Sequence, residues 1–365
     1  MNKKIKNIFA GGNTKDGFHS FYKDVLSPLS RLFILKGGPG TGKSSLIKKI
    51  GRFYKDKGYT LTFLHCSSDT ESLDGVIINE LSLGVVDGTA PHIVDPEIPG
   101  VKDDIINLGD FWDRDVLIQN KNEIIRLKKN INHYFNTAYK HLNQSSLLQK
   151  NMANLYAPYI DKAMVKQIKD KLISMTFEDT SKNGNKGKES RSFAGAITPR
   201  GIVSFAGELT DKAAKRVLLL GRPGTNKSTI MKSLAAEAVL LGYDVELYHC
   251  ALNPQKLDVV IIPQKQVAFI DASPPHKLET KKADDILIDM FALTVPRKIA
   301  NNNKDEILKL QEDIIIQIDT ARNNIRNAKD NHKKLENFYI NAMDFSKMDE
   351  VFQQIISYRE TNSSE

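Results

Sequence analysis

Cysteine, tryptophan and long apolar runs are what this chain has least of: two cysteines and one tryptophan in 365 residues. Two cysteines cannot build a disulfide framework, which fits a reducing compartment. No apolar run approaches the length of a bilayer span, which argues against a helical membrane protein and leaves no membrane partner to expect. The first residues, Met1-Asn2-Lys3-Lys4-Ile5-Lys6, start like a basic leader, but Phe9-Ala10-Gly11-Gly12 follows where an apolar segment would be needed. No secretory signal is therefore read, and a cytoplasmic protein is expected. Charge of neither sign is lacking: 52 Lys and Arg stand against 44 Asp and Glu, a formal charge of +8. That excess fits an anionic partner such as nucleic acid, or simply a lysine-rich composition. The length suffices for two domains with cores of their own.

What is there is written twice. At an offset of 184 positions, Phe9-Ala10-Gly11 meets Phe193-Ala194-Gly195, Gly58-Tyr59 meets Gly242-Tyr243, and His65-Cys66 meets His249-Cys250. Asp74, Asp87 and Pro91-His92 meet Asp258, Asp271 and Pro275-His276 in the same register. At 183 the match resumes, pairing Thr137-Ala138 with Thr320-Ala321 and Tyr156 with Tyr339. Fixed self-similarity of this kind is the mark of a tandem duplication. We expect a first unit over residues 1–180 and a second over 190–365, joined by a polar, glycine-containing linker at 181–189. Each unit is expected to end in a helical arm, at about 115–178 and 300–360, because Ile124, Leu127, Ile131, Tyr134 and Phe135 recur at helical spacing.

The duplicated unit carries Gly37-Gly38-Pro39-Gly40-Thr41-Gly42-Lys43-Ser44 after the apolar run Leu32 to Leu35. Glycines let backbone N–H groups converge on an anion, and the helix that follows aims its positive dipole end at the same place. The segment resembles the phosphate loop of the P-loop NTPase superfamily, and the whole chain looks like bacterial ATPases with two tandem P-loop domains. The resemblance implies a three-layer α/β/α fold for each unit, with ATP and Mg²⁺ as ligands. Lys43 would then reach the β- and γ-phosphates and Ser44 the metal, with Ser45 completing the loop. In the second unit the loop reads Gly221-Arg222-Pro223-Gly224-Thr225-Asn226-Lys227-Ser228, followed by Thr229. Arg222 replaces Gly38 and Asn226 replaces Gly42, so site 2 is expected to bind differently and to be altered or regulatory.

Asp87 and Asp271 close apolar runs 44 residues after Lys43 and Lys227, a spacing suited to a metal-holding aspartate. The next residues are Gly88 and Ala272, where many ATP-hydrolysing relatives have a catalytic Glu. His92, five residues past Asp87, is a candidate for orienting water or sensing the γ-phosphate. His65, Cys66 and His92 offer zinc-ligand chemistry, though only tertiary structure could gather them; a buried thiol beside a hydrogen-bonded histidine is the simpler reading. Asn120-Lys121-Asn122-Glu123 approaches a guanine-reading signature but has Glu in its fourth place, which leaves ATP as the expected base.

The first arm, 121–171, holds ten Lys and Arg against three acids, a net +7, whereas 304–360 is −2. The basic arm is expected to pack on its acidic counterpart or on a protein partner, with nucleic acid as the alternative. Trp112, at the foot of that arm, reads as a packing anchor. The leading function is Mg²⁺-dependent ATP hydrolysis coupled to rearrangement of the units. Transfer of the γ-phosphoryl to a small molecule and nucleotide-gated nucleic-acid binding stand as alternatives. Oligomeric state is not legible.

Overall fold

The computed structural model describes residues 5–178, 185–273 and 284–362. The first unit runs β1 (Ile5–Ile8), β2 (Gly11–Thr14), β3 (Gly17–Ser20), α1 (Tyr22–Leu26), β4 (Arg31–Lys36), α2 (Lys43–Asp56), β5 (Leu61–His65), β6 (Leu73–Ile78), β7 (Leu83–Asp87) and β8 (Asp103–Asn107). Its arm consists of α3 (Arg114–Gln119), α4 (Lys121–Asn154) and α5 (Lys162–Phe177). The second unit repeats the order: β9 (Glu189–Phe193), β10 (Gly195–Thr198), β11 (Gly201–Ser204), α6 (Ala206–Leu209), β12 (Lys215–Leu220), α7 (Lys227–Leu240), β13 (Val245–His249), β14 (Leu257–Ile262), β15 (Val267–Asp271) and β16 (Ile286–Asp289). Then come α8 (Met290–Thr294), α9 (Arg297–Asn302), α10 (Lys304–Ala342) and α11 (Met348–Asn362).

Each unit holds a six-stranded mixed sheet, in the orders β1-β5-β6-β7-β4-β8 and β16-β12-β15-β14-β13-β9. Only β6 and β14 run against their neighbours. Leu32 to Leu35 and the whole of β6 are buried, as an apolar run in a central strand requires. Strand β1 finishes the edge of sheet 1 by pairing with β5, while β2 and β3 form a separate ribbon whose Thr14 hydroxyl closes its own turn on Gly17.

Helices flank each sheet, and on the inner side Tyr22 and Leu26 of α1 join the core as well. One face of sheet 1 is covered by α2, through Leu46, Ile47 and Ile50. Its other face, with Leu32, Ile34 and Val86, shares one continuous core with Leu218, Val259 and Ile270 of sheet 2. A local two-fold relates the units: Phe9 and Phe193, equivalent residues, exchange both backbone hydrogen bonds, at 3.0 and 2.9 Å. The end of the expected linker is also held, since Lys188 N–H donates to Asp244 at 2.7 Å and β9 begins at Glu189.

The arms cross. Helices α4 and α10, about 51 and 58 Å long at 1.5 Å per residue, pack antiparallel. Leu127 and Ile131 meet Ala328 and Leu335, whereas Met152 meets Ile307 and Ile314. Buried Ile307, Ile314, Ala321, Ala328, Leu335 and Ala342 of α10 recur every seven residues, a coiled-coil seam. The equivalent alanines Ala138 and Ala321 lie together in the crossing cluster. Beyond the crossing each arm serves the other unit: α5 packs on α7 through Ile168 and Leu172, and α11 packs on α2 through Val351, Phe352 and Ile355.

Phe21 of the first unit stacks near His249 and His19, at ring separations of 4.5 and 4.7 Å. Burial lowers both imidazoles below 6.5; Arg191 and Lys232 lower His249 further, while Asp16 and Asp24 oppose the fall at His19. Groups whose folded pKa lies below the unfolded value contribute stability that is full above 6.5 and is lost as pH falls toward the folded value. Urea midpoints should therefore drop between pH 7.5 and pH 5.5, above the carboxylate range. The His19→Gln/His249→Gln double variant should show a flatter profile, and an unchanged slope would remove these histidines from the account.

Candidate functional site

The site begins with the abrupt turn from β4 into α2. Gly40 and Gly42 lie in the left-handed region at φ 75° and 85°, and Gly42 caps α2. Lys43, the first helical residue, folds back so that its Nζ donates to Gly37 O at 3.0 Å and Gly38 O at 2.7 Å. It faces Asp87 Oδ2 at 3.6 Å. Asp87 ends the neighbouring strand β7, paired to β4 opposite Leu35, so the sheet itself sets this approach. The other oxygen, Oδ1, is occupied by Thr89, accepting from its N–H at 2.9 Å and its hydroxyl at 2.5 Å. Ser44 Oγ accepts from Leu73 N–H at 3.0 Å, which fixes the hydroxyl beside β6.

The second unit repeats this arrangement. Lys227 Nζ donates to Gly221 O at 2.8 Å and Arg222 O at 3.1 Å and faces Asp271 Oδ2 at 3.7 Å. Ser228 Oγ accepts from Leu257 N–H at 2.9 Å. Burial lowers the Lys227 pKa and raises that of Asp271, each shift opposed by the other's charge. Asn226 stands at φ 64° where Gly42 stands at 85°, so its side chain is accommodated in the left-handed conformation asparagine tolerates better than most residues. Gly224 keeps its own left-handed φ of 88°.

Each loop is covered by the other unit's arm, which the sequence did not reveal. A Cβ on Gly38 would meet the Tyr339 ring at 2.6 Å, and one on Gly40 would meet the Glu336 carbonyl oxygen at 2.7 Å. Phe345 and Met348 lie 3.4 Å from the same position on Gly42. Trp112 completes this cover from the first unit, its ring 5.6 Å from Tyr339, so it is the anchor expected. At the second loop, a Cβ on Gly224 would meet Ala153 at 2.5 Å, and the Tyr156 hydroxyl donates to the Pro223 carbonyl. Arg222 fits where Gly38 is required because its guanidinium turns onto the Phe291 ring, 5.1 Å away. The equivalence of Tyr156 and Tyr339 was visible in the 183-residue register; their crosswise placement was not.

His92 is buried and meets Asp74, with Nε2 3.3 Å from Oδ2, rather than the Lys43–Asp87 pair. Gly75 pairs with Val86, so Asp74 stands next to Asp87 and His92 reaches the loop end of the sheet through Asp74. Its counterpart His276 lies outside the described residues. His65 turns away to Asn7 Oδ1 at 2.9 Å, as a hydrogen-bonded core histidine. The Asn120-Lys121-Asn122-Glu123 segment is the junction of α3 and α4, with Asn120 donating to Val116 O. Lys128, Lys129 and Lys166 are exposed, and the seam between the arms is apolar. Among the described residues no helix is long and apolar enough to cross a membrane.

No family model, curated protein or solved structure matches this chain.

Proposed function

We propose that the chain is a tandem P-loop ATPase that binds Mg²⁺-ATP at both loops and hydrolyses it at the first. The carrying observation is the recurrence, around Lys227, Ser228 and Asp271, of the contacts made by Lys43, Ser44 and Asp87. A turn with one solvated lysine has no reason to keep these partners in both copies.

In this reading Lys43 exchanges its loop carbonyls for the β- and γ-phosphates, and the backbone N–H groups at the start of α2 take the remaining charge. Ser44 and Asp87 hold the metal. Magnesium, when bound, would neutralise charge developing on the transferred phosphoryl group. The fit is supported by a buried lysine, a hydroxyl already positioned by Leu73, and a carboxylate whose second oxygen is locked by Thr89. With Gly88 after Asp87, catalysis relies on positioning and charge rather than on an adjacent glutamate, and turnover should be slow. The arms supply the coupling, since each loop is capped by helices reached through the other unit.

Calorimetric titration with ATP and a non-hydrolysable analogue in Mg²⁺ should find two sites. Lys43→Ala and Lys227→Ala should each weaken one of them at least ~10-fold, as loss of a charged hydrogen bond implies. Phosphate release should vanish only in Lys43→Ala; absence of nucleotide binding in the folded wild type would overturn the reading. ADP formed without free phosphate, and only with an added acceptor, would replace hydrolysis by phosphoryl transfer.

The crossed arms make a second, separable prediction. Tyr156→Phe, a change in the first repeat, removes the hydroxyl bonded to Pro223 and should alter affinity at the Lys227 site by about five-fold, the equivalent of one hydrogen bond. Affinity at the Lys43 site should not change in the same experiment.

A further inference from the structure

Cys66, Asp74 and His92 come together beside the first site, and nothing in the nucleotide reading uses them. They arrive from separate elements: Cys66 follows β5, Asp74 lies on β6, and His92 follows β7. Leu64 pairs with Gly75 and His65 with Leu73, so Asp74 is the extra residue of a β-bulge beside the end of β5, which Cys66 follows. One ligand atom from each of the three lies within 4.8 Å of the others, and all three residues are buried, at 9%, 5% and 6% exposure.

The polar atoms are left incomplete. His92 Nδ1 and Asp74 Oδ2 are both buried without a hydrogen-bond partner. The 3.3 Å approach of His92 Nε2 to Oδ2 lacks hydrogen-bond alignment. An imidazole and carboxylate that served only each other would close that bond, because an unsatisfied buried polar group costs about 1–3 kcal/mol. The rings of Phe18 and Tyr22 wall the histidine at 5.1 and 5.5 Å.

We propose that Cys66, Asp74 and His92 bind a zinc ion. Thiolate sulfur, imidazole nitrogen and carboxylate oxygen are the donors zinc accepts in tetrahedral sites, and the thiolate disfavours magnesium or calcium. Bond lengths of about 2.0–2.3 Å from a common centre need only small side-chain movements to gather atoms already this close. The Tyr22 hydroxyl, buried beside Asp74, or a water takes the fourth position. The chain's only two cysteines occupy the same place in both repeats, and Asp258 and His276 repeat the other two ligands in sequence. The ion would tie the segment after Asp87 to β5 and β6, holding the metal-binding end of β7 in place.

This site stands independently of nucleotide binding. The full chain, stripped with chelator and dialysed, is titrated with Co²⁺ and then Zn²⁺, with metal content measured by mass spectrometry. The expected result is a tetrahedral cobalt spectrum with a thiolate charge-transfer band, displaced by zinc. Cys66→Ser should lose one equivalent's share of the charge-transfer band, and His92→Gln should lose about one equivalent of metal, with circular dichroism confirming that each is folded. If Cys250→Ser removes a further equivalent, the repeat is loaded as well and the assignment is strengthened. Failure of the folded wild type to bind either metal would overturn the proposal, as would binding unchanged in both Cys66→Ser and His92→Gln. Should those two variants fail to fold, Cys66→Ala/Asp74→Asn/His92→Leu replaces the polar cluster with neutral groups. Metal retained by that folded triple variant would equally refute the site.

Discussion

The contact on which the rest of the molecule depends is the crossing of two long helices at Ala138 and Ala321. Small residues there let the backbones approach, and the apolar seam running both ways from the crossing fixes the helices antiparallel. Each fully buried Leu or Ile along it contributes about 1.5–3 kcal/mol by leaving water. Antiparallel crossing sends each arm to the wrong unit. As a result α11 covers α2, α5 covers α7, and neither sheet has its outer face finished without the other repeat. The shared inner core and the reciprocal Phe9–Phe193 pair close the two-fold from the other side. Duplication has thus produced a symmetric dimer within one chain, with the isologous character such a dimer needs.

Symmetry in the scaffold makes the asymmetry of the loops informative. Gly38 lies under Tyr339 with no space for a side chain, so loop 1 must have glycine there. In loop 2 the arm contact shifts to the Pro223 carbonyl, through Tyr156, and Arg222 escapes onto Phe291. Asn226 meets the left-handed requirement that glycine meets in loop 1. Both exceptions to the glycine pattern therefore have local explanations in packing and backbone conformation. Neither disturbs Lys227, Ser228 or Asp271, so the second loop keeps the side-chain contacts of the first while its surroundings change.

Much of this was legible in sequence because it is local. The repeat register, the strand Leu83–Asp87, the turn before Lys43 and the arms all follow from spacing and apolar pattern. What escaped was non-local. Nothing in the pattern of α10 says that its seven-residue stripe meets α4 head to tail, or that Tyr339 then lands on Gly38. The partner of a stripe is set by three-dimensional geometry, not by the period that reveals the stripe. His92 shows the same limit: its position five residues past Asp87 gave no sign that its ring would meet Asp74, which tertiary pairing of β6 with β7 places beside Asp87. Cys66 and His92 were weighed as ligands with His65, but alternation along β5 sends His65 to Asn7 and leaves the third place to Asp74.

Exchange of arms also constrains how the two sites can communicate. A loop capped by its own arm could open without consequence elsewhere. Here, moving Tyr339 off Gly38 displaces the end of α10, and α10 is held along its length by α4, beyond whose end Tyr156 meets the second loop. The seam is closely packed, and close-packed interfaces shift between discrete arrangements more readily than they deform by degrees. Any ligand that prefers one seating of α10 must then bias the seating of α4. By linkage the second loop acts back on the first with the same coupling free energy. Coupling of that kind would run through an apolar seam, so ionic strength should bear on it far less than packing does.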